Sequence, residues 1–347
     1  MSIRHVHRMV LAGALALACF AWTPFLATTT HAQSQEISSA AAEQYNQAAQ
    51  AISGGQFAEA LPILDKVLQL EPNFARGYFD RGFVKEQMRD FAGAAADYGK
   101  ACELDPAHTE ACIGHGKALY LNDDYEGALK VFTELAENSD NPAVWVQKAR
   151  AEEKLGMLDV AAASATKATE LAPDDADAYY ELGSIEYDRE RTSKDYDSAI
   201  AAYQKALELD PDHVNAFAAH FKLGKMYYRL DQFDKSEAEF TAATEIREDY
   251  APAYIDLGNC RNKLDNAEGA IEAYQKAIDL RAPEPYGMAY YSLARAYYAQ
   301  DDFEAAIEAY EKSTTDPEFR HADKARKAIA SIQDYLEKKR KAQAGGY

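Results

Sequence analysis

Small, aromatic and polar residues follow a helical pattern in residues 75–106. Small residues stand at Gly82, Ala94 and Ala101, where two helices would have to approach closely, and aromatic residues lie between them. An Asp-Pro pair closes the stretch, and proline cannot continue a helix. The pattern predicts two short helices folded back on each other. Since a helix pair of this size cannot bury its apolar face alone, similar pairs must stack on it.

The same order of residues recurs about every 34 residues and predicts eight stacked units. The first unit has Gln44 and Gln47 where apolar residues are expected, which suits the exposed end of a stack. The fifth unit contains an insertion at residues 189–195, which we expect to form a surface loop. The sixth is expected to begin early, near Val214, so that its joint with the fifth is displaced. The predicted units lie near residues 41–74, 75–108, 109–141, 142–175, 176–213, 214–250, 251–286 and 287–319.

Three shorter segments flank the units. Residues 33–40 are small and polar, as in a flexible lead-in. Residues 320–342 carry apolar side chains at helical spacing, including Ala325 and Ile332, and are predicted to form one helix that caps the last unit. Residues 343–347 are left as a tail.

The period and the order of residues resemble the tetratricopeptide repeat (TPR) over nearly all of the chain from residue 41 to residue 318. The resemblance implies an all-α, right-handed solenoid of about eight helix-turn-helix repeats plus a C-terminal capping helix. It also implies that the first helix of each repeat lines a concave groove. The groove-facing positions in this family are the second, fifth, ninth and twelfth residues of each repeat.

Placed on this sequence, those positions carry cations between aromatic rings. Four of the eight ninth positions are Lys or Arg, although the chain has a formal net charge of -20. Aromatic rings supply contact area, and cations between them can pair with carboxylates. We expect the acidic residues to lie on second helices and turns. The predicted groove residues are Phe79, Phe83, Lys117, Tyr120, Arg150, Tyr180, Tyr187, Phe221, Lys225, Tyr228, Asn259, Tyr291, Arg295 and Tyr298.

Such a groove suits an extended peptide that carries carboxylates, and the same rings could hold a glycan. Some TPR domains hold chaperone C-termini with Lys and Asn at fixed positions, but that arrangement is absent, because Asn259 is followed by Ser292 in the next repeat. The resemblance implies a non-catalytic scaffold that binds a protein or acidic peptide within an envelope assembly or export complex. A glycan-binding component of polysaccharide export is the alternative.

The net charge argues against nucleic acid as a partner, since phosphates demand clustered Lys and Arg. No nucleophile elbow, H-E-x-x-H motif or phosphate-binding loop occurs in the sequence. The acidic pairs fall in turns, where they can cap helices. We therefore expect neither catalysis nor a cofactor.

The first 32 residues have the pattern of a bacterial secretory signal peptide. Two arginines precede an apolar run over residues 9–20, and Thr-His-Ala at residues 30–32 fits a cleavage site. We expect an exported protein, periplasmic or extracellular, without a membrane span in the mature chain. Retention of the segment as an anchor and a lipoprotein site at Cys19 are the alternatives.

Cysteine and histidine gather where the second and third repeats meet. His108, Cys112 and His115 share one helical face by their spacing, and Cys102 lies late in the preceding helix. Three interpretations stay open: apolar packing of the side chains, a disulfide between Cys102 and Cys112, and a metal site for an ion such as zinc. Cys260 is expected to be a small buried thiol.

Overall fold

The computed structural model describes residues 37–137, 139–191 and 195–344. Within these ranges the chain forms 17 helices and no strand, which confirms the all-α prediction. The helices are α1 (Ser39–Ser53), α2 (Phe57–Leu70), α3 (Ala75–Gln87), α4 (Phe91–Leu104), α5 (Thr109–Leu121), α6 (Tyr125–Ala136), α7 (Pro142–Lys154), α8 (Leu158–Leu171), α9 (Ala176–Glu190), α10 (Asp197–Leu209), α11 (Ala216–Arg229), α12 (Phe233–Ile246), α13 (Ala251–Lys263), α14 (Ala267–Asp279), α15 (Gly287–Ala299), α16 (Phe303–Ser313) and α17 (Ala322–Ala344).

The predicted signal peptide at residues 1–32, its two alternatives and most of the lead-in lie outside the described residues. No helix in the described ranges combines the length and the apolar character that a bilayer crossing requires.

The first 16 helices form eight hairpins that stack in chain order. Each odd-numbered helix packs on the even-numbered helix that follows it, and each hairpin packs on the next. We call the odd-numbered helices α1 to α15 first helices and the even-numbered ones second helices. This arrangement confirms the predicted solenoid of helix pairs.

Among the described residues, seven hairpin turns are closed by a residue in the left-handed region of the backbone, one of them Arg89. Glycine takes this place at Gly55 and Gly156. Aspartate takes it four times, as at Asp123 with φ of 60°, because its short polar side chain tolerates the left-handed region better than most residues. In four of these turns the side chain of the following residue caps the second helix, as where Asp124 accepts a hydrogen bond from the Gly127 amide at 2.9 Å. These four turns therefore encode both a reversal and a helix start.

Within a hairpin, a small residue on the first helix faces a large ring on the second. A Cβ atom placed on Gly116 would lie 2.5 Å from Cζ of Phe132, and one placed on Gly258 would lie 2.5 Å from the Tyr274 ring. Both rings are buried. The two helices can approach this closely only because the glycines leave room for the rings, as the sequence pattern predicted.

The fifth hairpin departs from the others, and two expectations about it and the start of the sixth were wrong. Helix α9 runs on to Glu190, so the first part of the predicted 189–195 loop is helical, and Glu190 is buried. Helix α11 begins at Ala216, and Val214 precedes it as an exposed residue. Tyr196, which directly precedes α10, has a completely buried side chain.

A helix covers each end of the stack. Helix α1 buries Ala41 and Ala48 against its neighbours while Gln47 stays exposed. Helix α17 packs on α16 through buried Ala325 and Ile332. The predicted capping helix is thus present, and it continues to Ala344.

Candidate functional site

First helices contact each other across the repeat joints. Helix α5 contacts α7, α7 contacts α9, α11 contacts α13 and α13 contacts α15, whereas second helices lack comparable contacts in the described chain. Elements on the inner side of a curved stack lie closer together than those on the outer side. The first helices therefore line the inner surface, which we call the groove.

A repeated register joins the groove positions of consecutive repeats. The ninth residue of one repeat faces the sixth residue of the next. In repeat four, Arg150 Nε donates a hydrogen bond of 2.8 Å to Glu181 Oε2 in repeat five. In repeat six, Lys225 Nζ lies 4.0 Å from Asp256 Oδ2 in repeat seven. Two of the four predicted groove cations are thus neutralised from within the chain.

The other two groove cations have no such partner. The residue in register with Lys117 is the uncharged Gln147, and Arg295 belongs to the last repeat. Both cations are exposed, and neither has a carboxylate within 4.0 Å in the part of the chain that the structure describes. Partial burial lowers the pKa of Lys117 and the charge of Arg150 lowers it further, while the more distant Glu86 carboxylate acts in the opposite direction.

The expectation that acidic residues avoid the first helices was wrong. Glu153 lies on α7, Glu181 and Asp188 lie on α9, and Asp256 lies on α13. Burial raises the pKa of Glu153, and the charges of Glu181 and Asp188 raise it further. The groove carries both signs of charge, so its unpaired cations are local features and not a continuous stripe.

Most predicted groove rings pack inside their own hairpin. Rings at the fifth position contact the large ring of the second helix, with centroid separations of 5.5 Å for Phe79–Tyr98, 5.5 Å for Tyr180–Tyr203, 5.8 Å for Phe221–Phe240 and 5.3 Å for Tyr291–Tyr310. Rings at the twelfth position contact the start of the second helix, at 5.2 Å for Tyr120–Tyr125, 5.4 Å for Tyr228–Phe233 and 5.6 Å for Tyr298–Phe303. These rings hold the hairpins together and leave only part of their surface to the groove.

Two of the predicted rings differ from this pattern. Phe83 packs across a repeat joint on Phe57, at 6.1 Å between centroids. Tyr187 is buried, because it stacks on Tyr196 at 6.0 Å and lies under Lys222, whose Nζ is 4.0 Å from the ring centroid. The prediction that Tyr187 offers a face to a partner was therefore wrong.

A small pocket opens into the groove between repeats six and seven. It brings together three predicted residues, Lys225, Tyr228 and Asn259, with Asp256 at its wall. The Tyr274 hydroxyl donates a hydrogen bond of 2.9 Å to Oδ1 of Asn259. The remaining lining residues are Arg229 and Phe240.

Burial raises the pKa of Asp256, while the charge of Lys225 and a hydrogen bond from Asn259 act against that rise. The pocket therefore combines cations, a fixed amide and one partly desolvated carboxylate. We call it the Lys225 pocket.

Sequence reasoning missed two groove cations, Lys222 and Arg229. Together with Lys225 they are spaced three and four residues apart, which places all three on one face of α11. Burial lowers the pKa of Lys222. The Arg229 guanidinium donates a 2.6 Å hydrogen bond to the Tyr196 hydroxyl. The helical spacing of the three cations was the signal that could have found them.

A disulfide joins Cys102 and Cys112 and links α4 to α5. The His108 ring packs on Phe79 with 4.6 Å between centroids, and burial lowers the pKa of His115. Among the described residues, no group of three or more His, Cys, Asp or Glu side chains has an arrangement that could hold a metal ion. Of the three open interpretations, the structure supports the disulfide.

Cys260 is a buried free thiol, and its Sγ donates to the carbonyl oxygen of Phe233 at 3.0 Å. It therefore takes the packing role that the sequence predicted.

Comparison with known protein families identifies the family of the chain. Models described as tetratricopeptide repeat match residues 84–142, 146–214, 190–257 and 249–315, which together exceed half of the chain. The chain belongs to the tetratricopeptide repeat family, whose members are protein-interaction scaffolds and generally non-catalytic.

Two curated relatives and one solved structure illustrate the similarity. Superkiller complex protein 3 of Mus musculus is 27% identical over 221 residues, covering 58% of this chain and 14% of the relative. Mitochondrial import receptor subunit TOM70 of Homo sapiens is 26% identical over 238 residues, covering 65% of this chain and 38% of the relative. The chain thus spans well under half the length of either relative.

The solved Cut9–Hcn1 hetero-tetramer of the APC/C aligns with a TM-score of 0.51 and 18% identity, over 72% of this chain and 48% of that one. This likeness concerns the fold.

Proposed function

We propose that the chain is an exported, non-catalytic scaffold that binds a protein partner through an extended, carboxylate-bearing segment lying along the groove. The single observation that carries the proposal is the state of Lys117. It is an exposed cation on the groove face, and the residue in register with it is uncharged. Partial burial and the charge of Arg150 lower the pKa of Lys117, and the Glu86 carboxylate offsets only part of this effect, so an incoming carboxylate would further favour the charged form of Lys117.

Arg295 extends the argument to the other end of the groove. It is also exposed, and no carboxylate lies within 4.0 Å of it among the described residues. A segment with carboxylates at separate points could pair with both cations, which favours an extended ligand over a compact one. The chain as a whole has a formal net charge of -20, which would repel acidic ligands that do not reach these two cations.

Export and an envelope setting form part of the proposal. The signal-like pattern of residues 1–32 supports export. The Cys102–Cys112 disulfide agrees with it, because such bonds persist in oxidising compartments and are rare in the cytosol. The glycan alternative has less support, since most rings that could stack on sugars pack against second helices instead.

A binding measurement with charge-matched peptides tests the proposal. The probe is a fluorescein-labelled peptide of alternating Glu and Ala with blocked ends, and its Gln counterpart is the reference. We expect the protein to prefer the Glu peptide, and the Lys117→Glu, Arg295→Glu double variant to weaken that binding about tenfold. The matched control is Lys130→Glu, Lys276→Glu, which makes the same charge change at exposed positions of second helices.

Loss of binding in the groove variant alone supports the proposal. Equal binding of the Glu and Gln peptides, or equal loss in both double variants, would contradict it. Circular dichroism of both variants verifies that the helices are intact.

A further inference from the structure

The Lys225–Asp256 contact in the Lys225 pocket is loose. At 4.0 Å the ammonium and carboxylate groups attract each other but do not form a hydrogen bond. The Lys225 side chain is 40% exposed, and its Nζ also lies 5.1 Å from the Phe221 ring centroid. Lys225 is therefore free to exchange Asp256 for another anion without losing its position over the ring.

Cations outnumber carboxylates around this pocket. Lys225 and Arg229 line it from α11, and Asp256 is the carboxylate among its lining residues. The charge of Arg295, on α15, acts on Tyr228 and Tyr274 beside the pocket, and that of Asp231 acts on Tyr228, so three cations stand against two carboxylates. An anion that enters the pocket would meet a net positive field.

The amide of Asn259 is fixed within the pocket. Its Oδ1 accepts the hydrogen bond from the Tyr274 hydroxyl, so its NH₂ group is directed away from Tyr274. That NH₂ group is on the side of Asp256, whose ionised form it favours. The pocket thus offers oriented N–H donors in addition to positive charge, and oriented donors are what a carboxylate requires.

We propose that the Lys225 pocket binds one side-chain carboxylate of the partner segment, and that Asp256 holds Lys225 in its place until that carboxylate arrives. The inference rests on the proposed function and names one contact within it. A side chain is assigned because unpaired groove cations lie on both sides of the pocket along the array, Lys117 before it and Arg295 after it. The bound segment therefore continues in both directions instead of ending in the pocket.

The exchange makes Asp256 a competitor of the ligand. Removal of its charge should release Lys225, whereas removal of Lys225 should leave an unpaired, partly desolvated carboxylate in the pocket. The two substitutions are thus expected to act in opposite directions. A residue that only maintained the fold would weaken binding in both cases.

The experiment measures the affinity of the end-blocked Glu/Ala and Gln/Ala peptides for the full chain and three variants. We expect Asp256→Asn to bind the Glu peptide about threefold more tightly and Lys225→Gln to bind it about fivefold more weakly. Neither variant should change binding of the Gln peptide. The control is Asp249→Asn, which removes one exposed negative charge from the turn before α13.

The outcomes separate this inference from the proposed function. If the unmodified protein does not distinguish the Glu peptide from the Gln peptide, the proposed function fails and the pocket assignment fails with it. If it prefers the Glu peptide but Asp256→Asn binds no more tightly than Asp249→Asn, only the pocket assignment is overturned. If only a Gln/Ala peptide with a free C-terminus responds to Asp256→Asn, the carboxylate is terminal and the side-chain assignment is wrong.

Discussion

Arg150 Nε lies 2.8 Å from Glu181 Oε2, and this bond joins the groove faces of two consecutive hairpins. The same register places Lys225 4.0 Å from Asp256 two repeats further along. It leaves Lys117 opposite Gln147, where no charge is present to meet it. The groove field is therefore set by pairs of residues about 31 positions apart, a spacing that follows from the repeat period.

Glu181→Ala is expected to destabilise the protein and to strengthen binding of acidic peptides. Glu181 is 6% exposed, but the Arg150 side chain is about one third exposed, so we expect a loss of about 1 kcal/mol in the free energy of unfolding. Denaturant titration followed by circular dichroism measures this loss. The comparison variant is Glu208→Ala, whose exposed pair with Lys205 should contribute less than about 0.5 kcal/mol. Equal losses in the free energy of unfolding would show that the Arg150–Glu181 pair stabilises the protein no more than an exposed pair does.

Gln147→Glu should weaken binding of the end-blocked Glu/Ala peptide. The new carboxylate would stand in register with Lys117 and satisfy it from within the chain, as Glu181 satisfies Arg150. We expect about threefold weaker binding, with the protein itself as stable as before or slightly more so. Gln69→Glu, an exposed position on α2, makes the same charge change away from the groove. If both variants bind the Glu/Ala peptide with equal affinity, the residue at position 147 does not control the availability of Lys117.

Asp256→Asn is expected to stabilise the protein at neutral pH, and the gain should disappear in acid. Burial raises the pKa of Asp256 in the folded state, so the folded protein takes up a proton more readily than the unfolded chain. The stability associated with this group is therefore fully present below its unfolded pKa and is lost as the pH rises through the folded pKa.

Thermal unfolding of both proteins across this pH window measures the effect. We expect the Tm of Asp256→Asn to be about 2 °C higher near neutral pH, and the two curves to converge as the pH falls toward the unfolded pKa. A Tm difference that increases as the pH falls would contradict a raised pKa of Asp256 in the folded state.

Replacement of both Cys102 and Cys112 by serine should destabilise the chain by about 3 kcal/mol, the value that chain entropy assigns to closing a loop of about this length. The two residues are ten positions apart. Denaturant unfolding with and without reductant measures the loss, and reductant should have no effect on the double variant. Cys260→Ala is the control, because its thiol is free and the stabilising effect of oxidation should remain. A reductant-insensitive parent protein would contradict the assignment.

Gly116→Ala should cost about 1–3 kcal/mol, because the added methyl group would meet a ring that has no room to retreat. The new Cβ would lie 2.5 Å from Cζ of Phe132, whose side chain is completely buried. Trimming the ring by Phe132→Leu provides the control, since the double variant should then lose less stability than the sum of the single ones. Simple additivity would mean that the two side chains do not compete for space.

The fold was predictable because the same constraints act in every repeat. A glycine such as Gly116 must face a ring, and an aspartate such as Asp124 must cap a helix, so these residues recur at fixed spacing. The fifth hairpin was harder to predict. Tyr196, which precedes its second helix, is buried through contacts with Tyr187 and Arg229 that no local pattern encodes.

The candidate site was only partly predictable, and the reason lies in the joints between repeats. The positions of Lys117 and Lys225 followed from the repeat register, but which of them is neutralised depends on the residue that the next repeat places opposite. The aromatic positions were ambiguous for a related reason. A ring such as Phe221 has the same spacing whether it faces the groove or packs on Phe240 in its own hairpin.

The ninth-to-sixth register has a consequence for how such a chain can change during evolution or design. Duplicating or exchanging one hairpin preserves the steric fit, because the glycine and the ring travel together within it. The same exchange can split a charge pair, since each pair has one member in the neighbouring hairpin. If the hairpin that contains Asp256 were moved to follow the one that contains Lys117, Asp256 would neutralise Lys117. Lys225 would then lose its carboxylate partner. The repeats are thus interchangeable as building units, while their order determines which ligands the assembled surface accepts.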